Sequence, residues 1–526
     1  MQYTSFLYLS LLLLVFIVYY ILPVKYRWTA LLIGNLIFYA ASGLKQMVIM
    51  IISSFAVWLI TGKIGRLALE QKELRSLDLS NEEKKEKTKA VQKKKKNFLY
   101  IGLVLLVGTL FVTKYTNFVL KIAGRIVRSQ SIPFVQLIVP LGISFYTFIM
   151  VSYLVDVYKG KCEAQNNYFR FLTFACFFPA VVQGPISRYS QLAPQLYEGH
   201  KFNIRNFRDG AILILWGFAK KLVLAEEIGI FVNQIFDHSS QYRGMIFLLA
   251  AAAYSIQTYA DFSGCMDIGL GAARIFGIEL TRNFLRPYFS KSIPEFWRRW
   301  HVTLGTWFKD YVFFPYSISK TAGAVNKTVR DRFGKTAGRT VSVALPLLLV
   351  WFLTGLWHGA EMKYIVWGLY HGMLIILGAV FGERLAVLTE KLHIRTDCFS
   401  FRFFQMARTF FLCCIGRVFF RAAGLRNALS ILYRMCTGKG IGSWPVWEVT
   451  QYNRSDIWNF AVIVLLLAAW LIVSIMQEKG KDVLKCLDEQ NLIFRWGLLY
   501  LLLFTVLLAG HYGPGFNTSA FIYEQF

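Results

Sequence analysis

The chain predicts an all-α, polytopic membrane protein, and three observations carry that prediction. Of its 526 residues, 56% are hydrophobic and 17% aromatic, with a mean hydropathy of +0.46; ordinary soluble domains are about 45–50% apolar. The apolar residues fall in long blocks, such as "SFLYLSLLLLVFIVYYIL" (Ser5–Leu22) and "WNFAVIVLLLAAWLIVSIM" (Trp458–Met476). Blocks of roughly 18–20 apolar residues carry a helix through a hydrocarbon layer about 30 Å thick. The charge is one-sided, 58 Lys and Arg against 30 Asp and Glu for a formal net of +28, and the basic residues gather between the blocks. In that arrangement they suit anionic headgroups and cytoplasmic retention, not nucleic acid.

Ser5–Leu22 opens the series. The leading "MQYTS" carries no basic side chain and no small-x-small site follows, so the block reads as a retained span and not a cleavable signal. Thr29–Ser42 and Gln46–Ile60 come next. Lys63–Lys96, ending in "KTKAVQKKKK", is charged and patchily helical, and reads as a solvated cytoplasmic loop. The positive-inside rule then places the N-terminus outside, the Lys25/Arg27 turn inside and the Lys45 turn outside, three mutually consistent assignments.

Further blocks run over Phe98–Val112, Pro133–Val155, Tyr168–Val182, Ala211–Phe236, Met245–Tyr259, Val341–Trp357, Tyr364–Phe381, Phe403–Phe420, Trp458–Met476 and Trp496–Leu508. Lys320–Arg339 sets Lys320, Lys327, Arg330, Arg332, Lys335 and Arg339 against Asp331 and is expected in the cytoplasm. The tail "HYGPGFNTSAFIYEQF" has no Lys or Arg and is expected outside. The resulting layout is N-terminal helices over 1–62, a basic loop over 63–97, a transmembrane core over 98–512 and an external tail over 513–526. No period of 20–50 residues repeats, which argues against an inverted-repeat transporter.

Two stretches are not simple spans. "CFFPAVVQGPISRY" (Cys176–Tyr189) is cut by Pro179 and the Gly184-Pro185 pair. Backbone freed at such breaks is tolerated at membrane depth only when packed in protein or lining a wet cavity. "IPEFWRRWHVTLGTWFKDYVFFP" (Ile293–Pro315) reads as one amphipathic interfacial helix, with Trp297, Trp300, His301, Leu304 and Phe308 on its apolar face.

The candidate chemistry is histidine chemistry. Among seven histidines, His200, His238 and His393 fall in polar loops and His511 at the outer end of the last block. His371 is expected to make a structural hydrogen bond. His301 and His358 each follow a tryptophan on a segment with reason to be buried, where ionisable groups are costly and mark functional sites. Imidazole's unshifted pKa near 6.5 leaves the neutral base available at working pH. No GxSxG elbow, HExxH helix, Walker loop or strand-borne GxGxxG is present, and the eight cysteines lack metal-ligand spacing. Asp261 and Asp267 either orient an imidazole or pair with Arg274 or Arg282; pairing is the preferred reading. On residues alone the candidates stay open between buried structural histidines and catalytic ones.

The run from "YADFSGCMDIG" through "IPEFWRRWHVTLGTWFKDYVFFP" to "FLTGLWHGAEMKYIVWGLYHG" resembles the membrane-bound O-acyltransferase superfamily, most of all its bacterial alginate O-acetyltransferase branch. "GISFYTFIMVSYLVDVYKG" and "FFPAVVQGPISRY" carry the same likeness. The resemblance implies a ring of tilted helices around a central funnel, with His358 as the active-site histidine and His301 as its support. It also implies Gln183, Asp261, Arg298, Trp300 and Trp357 as substrate-binding positions. Arg298, Arg299 and Lys309 are candidates for donor phosphates, although headgroup anchoring is the preferred reading for them. The terminal "FIYEQF" resembles the family's tail motif and would make Tyr523 an acyl relay, against an interfacial anchor; Glu524 stands where the family commonly has an aromatic residue.

The implied activity is transfer of an acyl group, most simply acetyl from acetyl-CoA, with no bound cofactor or metal. The acceptor would be an envelope polysaccharide, reached through an extracytoplasmic SGNH-type transferase, in a bacterial plasma membrane. D-alanyl transfer from a carrier protein to teichoic acid is the alternative within the enzyme class, and a transporter or lipid flippase the alternative outside it.

Overall fold

A computed structural model describes residues 1–78, 80–127, 134–438 and 456–513. The chain folds as helices, and seven of those described are long and apolar enough to cross a bilayer. It divides into two compact units, residues 1–214 with 268–281, and residues 215–267 with 282 onward.

The first unit is built from α1 (Phe6–Ile21), α2 (Arg27–Ser42), α3 (Leu44–Ser76), α4 (Asn81–Val127), α5 (Ile143–Tyr158), α6 (Tyr168–Ala175), α7 (Tyr189–Glu198) and most of α8 (Ile204–Phe218). The charged stretch, expected to be patchily helical, is helix over most of its length, as the end of α3 and the start of α4. Its α4 side starts with a capping box, in which the Ser80 hydroxyl accepts from the Glu83 N–H at 3.2 Å and the Glu83 carboxylate from the Ser80 N–H at 3.1 Å. Lys95 and Gln71 tie α4 to α3 at 3.3 Å, while Lys85, Lys87, Lys89, Lys93, Lys94 and Lys96 stay exposed.

The stretch after α6 leaves helix where its prolines and glycines demand. Residues 176–187 are buried throughout, so their backbone groups need protein partners. The Asn35 side chain accepts from the Phe178 N–H at 2.8 Å, the Tyr3 hydroxyl donates to the Phe178 carbonyl at 3.1 Å, and Gly184 N–H closes on the Ala180 carbonyl at 2.8 Å. Gly142 turns into α5 at φ +68°, and a Cβ there would meet the Val181 carbonyl at 2.6 Å. Packing in protein is therefore how this break is accommodated.

The second unit holds α9 (Glu226–Asp237), most of α10 (Ile246–Ile275), α11 (Ile293–Arg299), α12 (Val302–Phe308), α13 (Phe314–Ser317), α14 (Lys320–His358), α15 (Met362–Lys391), α16 (Phe399–Arg421), α17 (Leu425–Thr437), α18 (Asp456–Glu478), α19 (Val483–Asp488) and α20 (Leu492–Ala509). The apolar run expected over Ala211–Phe236 is interrupted by a wide π-turn at Ala219–Ala225. The basic stretch expected as a loop after Lys320 is the first part of α14, bent at Gly334.

α14 and α15 pack as a tight hairpin because glycines face each other. A Cβ on Gly355 would lie 2.3 Å from the Tyr364 carbonyl oxygen, and one on Gly368 2.3 Å from the Trp351 carbonyl oxygen. Small residues at such a seam let two backbones approach where side chains would hold them apart. The core of this unit gathers Phe236, Tyr254, Tyr364, Trp367, Phe419 and Phe420.

Candidate active site

His358 is the last residue of α14, which stops there as the chain turns extended at Gly359. A Cβ on Gly359 would meet the Tyr364 ring at 2.3 Å, so the turn closes directly onto α15. The imidazole is 4% exposed. Its ring meets Trp367 at 4.8 Å edge to face, Phe420 at 5.2 Å and its neighbour Trp357 at 4.6 Å. The sequence suggests a wet cavity near the broken helices; around His358 the structure has an aromatic enclosure.

His301 departs from the expected single helix. The chain breaks between α11 and α12, where His301 adopts a left-handed backbone, φ +48° and ψ +53°. Such a conformation is costly for a residue with a Cβ and persists only where surrounding bonds hold it. Here Asn283 does the holding. Its side-chain oxygen accepts from the Thr303 N–H and hydroxyl, each at 2.9 Å, and its carbonyl accepts from the Val302 N–H at 3.0 Å. The same side-chain oxygen lies 3.2 Å from His301 Nδ1. An amide oxygen only accepts, so Nδ1 carries the proton and Nε2 is left as the basic nitrogen. Burial pushes the His301 pKa down to about 3, which keeps the ring neutral.

The break also explains the tryptophans. Trp300 pairs with Phe284 in an antiparallel bridge, stacks on Phe296 at 5.6 Å and meets Phe284 edge-on at 5.0 Å. Trp357 serves both histidines, its ring 5.8 Å from His301 and 4.6 Å from His358. His301, His358 and Trp357 therefore form one aromatic–imidazole cluster, which Trp300 joins through Phe284 and Phe262. A neutral His301 and a buried His358 in an aromatic surround suit proton abstraction from a weakly acidic group.

The other sequence candidates are placed differently. Asp261 pairs at 2.7 Å with Lys221, not with Arg274 or Arg282; Arg274 binds Asp209 instead, also at 2.7 Å. Asp267 likewise pairs with a π-turn lysine, Lys220, at 2.5 Å. Arg298 is exposed, as is Lys309, while Arg299 bridges Glu295 and Glu478 at 2.8 and 2.9 Å. Gln183 lies in the first unit, 2% exposed in the irregular stretch after α6. Tyr523 lies outside the described residues.

His371 does not make the expected hydrogen bond: among the described residues its Nδ1 has no partner. It is held by aromatic contact, with Trp297 at 4.9 Å and Trp367 at 5.3 Å, and by the close approach of Gly416, whose Cβ would sit 2.6 Å from its Nε2.

Sequence reasoning overlooked three things. Asn283 gave no signal beyond a polar residue eighteen positions before a histidine. Lys220 and Lys221 are each 3% exposed, and Lys221 also binds Glu226 at 2.7 Å; a lysine pair inside "GFAKKLVLA" was a visible cue. Arg417, 3% exposed inside the apolar run of α16, was another.

Comparison with known proteins bears on what this cluster belongs to. Residues 164–330 match the membrane-bound O-acyltransferase family. The chain is 31% identical over 473 residues to the probable alginate O-acetylase AlgI of Pseudomonas syringae pv. tomato, covering 89% of this chain and 80% of that protein. It is 30% identical over 373 residues to a peptidoglycan O-acetyltransferase of Helicobacter pylori, 66% of each. A teichoic acid D-alanyltransferase of Bacillus subtilis is 31% identical over 241 residues, 45% of this chain and 58% of that one. With its apolar helices and this likeness across nearly the whole chain, the protein belongs to the membrane-bound O-acyltransferase family and is a multi-pass O-acyltransferase of a bacterial membrane.

Proposed function

We propose that the protein moves an acetyl group from a thioester donor, acetyl-CoA, toward hydroxyls of a cell-envelope polysaccharide, with His358 as general base and His301 as its support. The observation that carries this reading is the shared Trp357 platform, which sets two buried imidazoles within one cluster. His358 takes the proton from the attacking hydroxyl as its oxygen adds to the thioester carbonyl. His301, locked by Asn283 with Nε2 as its basic nitrogen, holds polar reactants near that ring. The names of the relatives, which concern alginate, peptidoglycan and teichoic acid, support a polysaccharide of the envelope as final acceptor. We assign Tyr523 as the acyl-carrying phenol that passes the group to an extracytoplasmic SGNH-type transferase.

The test is acetyl transfer by purified protein in lipid nanodiscs. His358→Ala abolishes transfer while leaving a monodisperse, folded protein; wild-type transfer by that variant removes the proposal. Tyr523→Phe stops delivery to the final acceptor, and unchanged product reduces Tyr523 to an interfacial anchor. A D-alanyl group is the second reading, favoured by the likeness to the teichoic acid enzyme. Mass spectrometry of the group carried on Tyr523 separates the two.

A further inference from the structure

Arg417 has no task in that scheme. It sits in α16, a helix apolar enough to cross the membrane, and is 3% exposed. Among the described residues, no carboxylate and no hydrogen-bond acceptor meets its guanidinium. Its neighbour one turn on shows the contrast, since Arg421 binds Asp237 at 2.9 Å and Asn233 at 2.6 Å. Arg417 is held instead by rings, 4.6 Å from the Trp300 centroid and 5.9 Å from that of Phe420.

A guanidinium cannot shed its proton to escape this environment. Desolvating an ion is costly even after relaxation, and cation–π contacts offset only part of that cost. Snorkelling, the common fate of arginine near a helix end, would leave the head exposed, and this one is buried. The missing counter-charge is therefore one that arrives with, or develops on, a bound reactant.

The location says which. Trp300 immediately precedes His301, and the Phe420 ring packs against His358 at 5.2 Å. Arg417 thus shares one aromatic support with each histidine environment. We propose that Arg417 is a further catalytic residue, donating its N–H groups to the oxyanion that forms on the acyl carbonyl. The inference rests on the acyl-transfer reading above. In the step, the hydroxyl proton passes to His358, a C–O bond forms, and the carbonyl π pair moves onto oxygen opposite the guanidinium. Collapse re-forms the carbonyl, expels the thiolate with its electron pair, and returns the proton from imidazolium to sulfur. A fixed donor in a dry site stabilises that charge without reorganising when it appears.

The experiment measures initial rates of thiol release from acetyl-CoA in nanodiscs supplied with host envelope glycan, for wild type, Arg417→Met, Arg417→Lys and His358→Ala. Arg417→Met is expected to lower kcat by about 10²–10³-fold, the usual loss of one oxyanion donor, with the KM for acetyl-CoA changed less than about threefold. Arg417→Lys keeps the charge but not the planar fork and recovers part of the rate. A kcat within twofold of wild type for Arg417→Met overturns the assignment. So does a loss confined to KM, which would make the guanidinium a ground-state phosphate site. Should Arg417→Met fail to fold, Arg417→Lys carries the test, and a wild-type kcat and KM there overturn the need for a forked donor. Wild-type turnover by His358→Ala would defeat the acyl-transfer scheme itself, a result distinct from any failure of Arg417.

Discussion

Substituting Gly355 by alanine tests whether the glycine seam between α14 and α15 sets the position of His358. The added Cβ would stand 2.3 Å from the Tyr364 carbonyl oxygen and 3.0 Å from the Ile365 Cα. Both are backbone atoms, so no side chain can swing aside. Restoring ordinary contact at 3.4 Å requires the two helices to part by about 1 Å, and overpacking of this kind costs about 1–3 kcal/mol. His358 lies less than one helical turn further on, so the displacement reaches the imidazole almost undiminished. A misplacement of about 1 Å at a reacting group costs on the order of 10²-fold in rate. Gly378→Ala and Gly382→Ala provide the control on α15 itself, because a Cβ at either meets nothing within 4 Å. They are expected to leave activity unchanged and to gain up to about 1 kcal/mol of helix propensity. The assay pairs thermal unfolding in detergent with acyl-transfer rate. Wild-type stability and rate for Gly355→Ala would refute the reasoning, as would an equal loss in the Gly378 variant.

Two further outcomes follow from the buried charges of the second unit. Lys221→Met leaves Asp261 and Glu226 without the ammonium that each binds at 2.7 Å; breaking a buried pair costs about 3–5 kcal/mol, seen as a lower unfolding midpoint that Asp261→Leu in the same chain partly restores. His511 donates to Glu227 at 2.7 Å, and that bond raises its pKa above 6.5. A raised folded pKa stabilises below the unfolded value and loses its contribution as pH climbs through the folded one. His511→Gln should therefore narrow stability relative to wild type near pH 5.5, by less than about 1 kcal/mol for this partly exposed pair, and the difference should vanish at alkaline pH.

Seven of the expected blocks coincide with helices long and apolar enough to span, and these blocks and the two histidines were legible for a plain reason. Hydropathy reports which residues avoid water, and an imidazole inside such a block stands out. Pairing was less legible, because it depends on elements distant in the chain. Asp261 ends the expected block at Tyr259, yet α10 continues to Ile275, since Lys220 and Lys221 neutralise its carboxylates across a π-turn. The break at His301 was hidden for a related reason. Periodicity over 293–315 is compatible with one helix, and the residue that forbids it, Asn283, lies outside that window. The charged stretch over 63–96 reads only as patchily helical because its composition reports solvation, and solvation and helicity are independent properties.

The charged end of α4 has a further consequence. Residues 81–96 continue the axis of an apolar helix and, at about 1.5 Å per residue, amount to roughly 24 Å of extension. Electrostatic influence in physiological salt fades over about 8 Å. Along the helix, Lys93, Lys94 and Lys96 thus lie within about one screening length of the apolar run that begins at Phe98, and Lys85 and Lys87 lie beyond it.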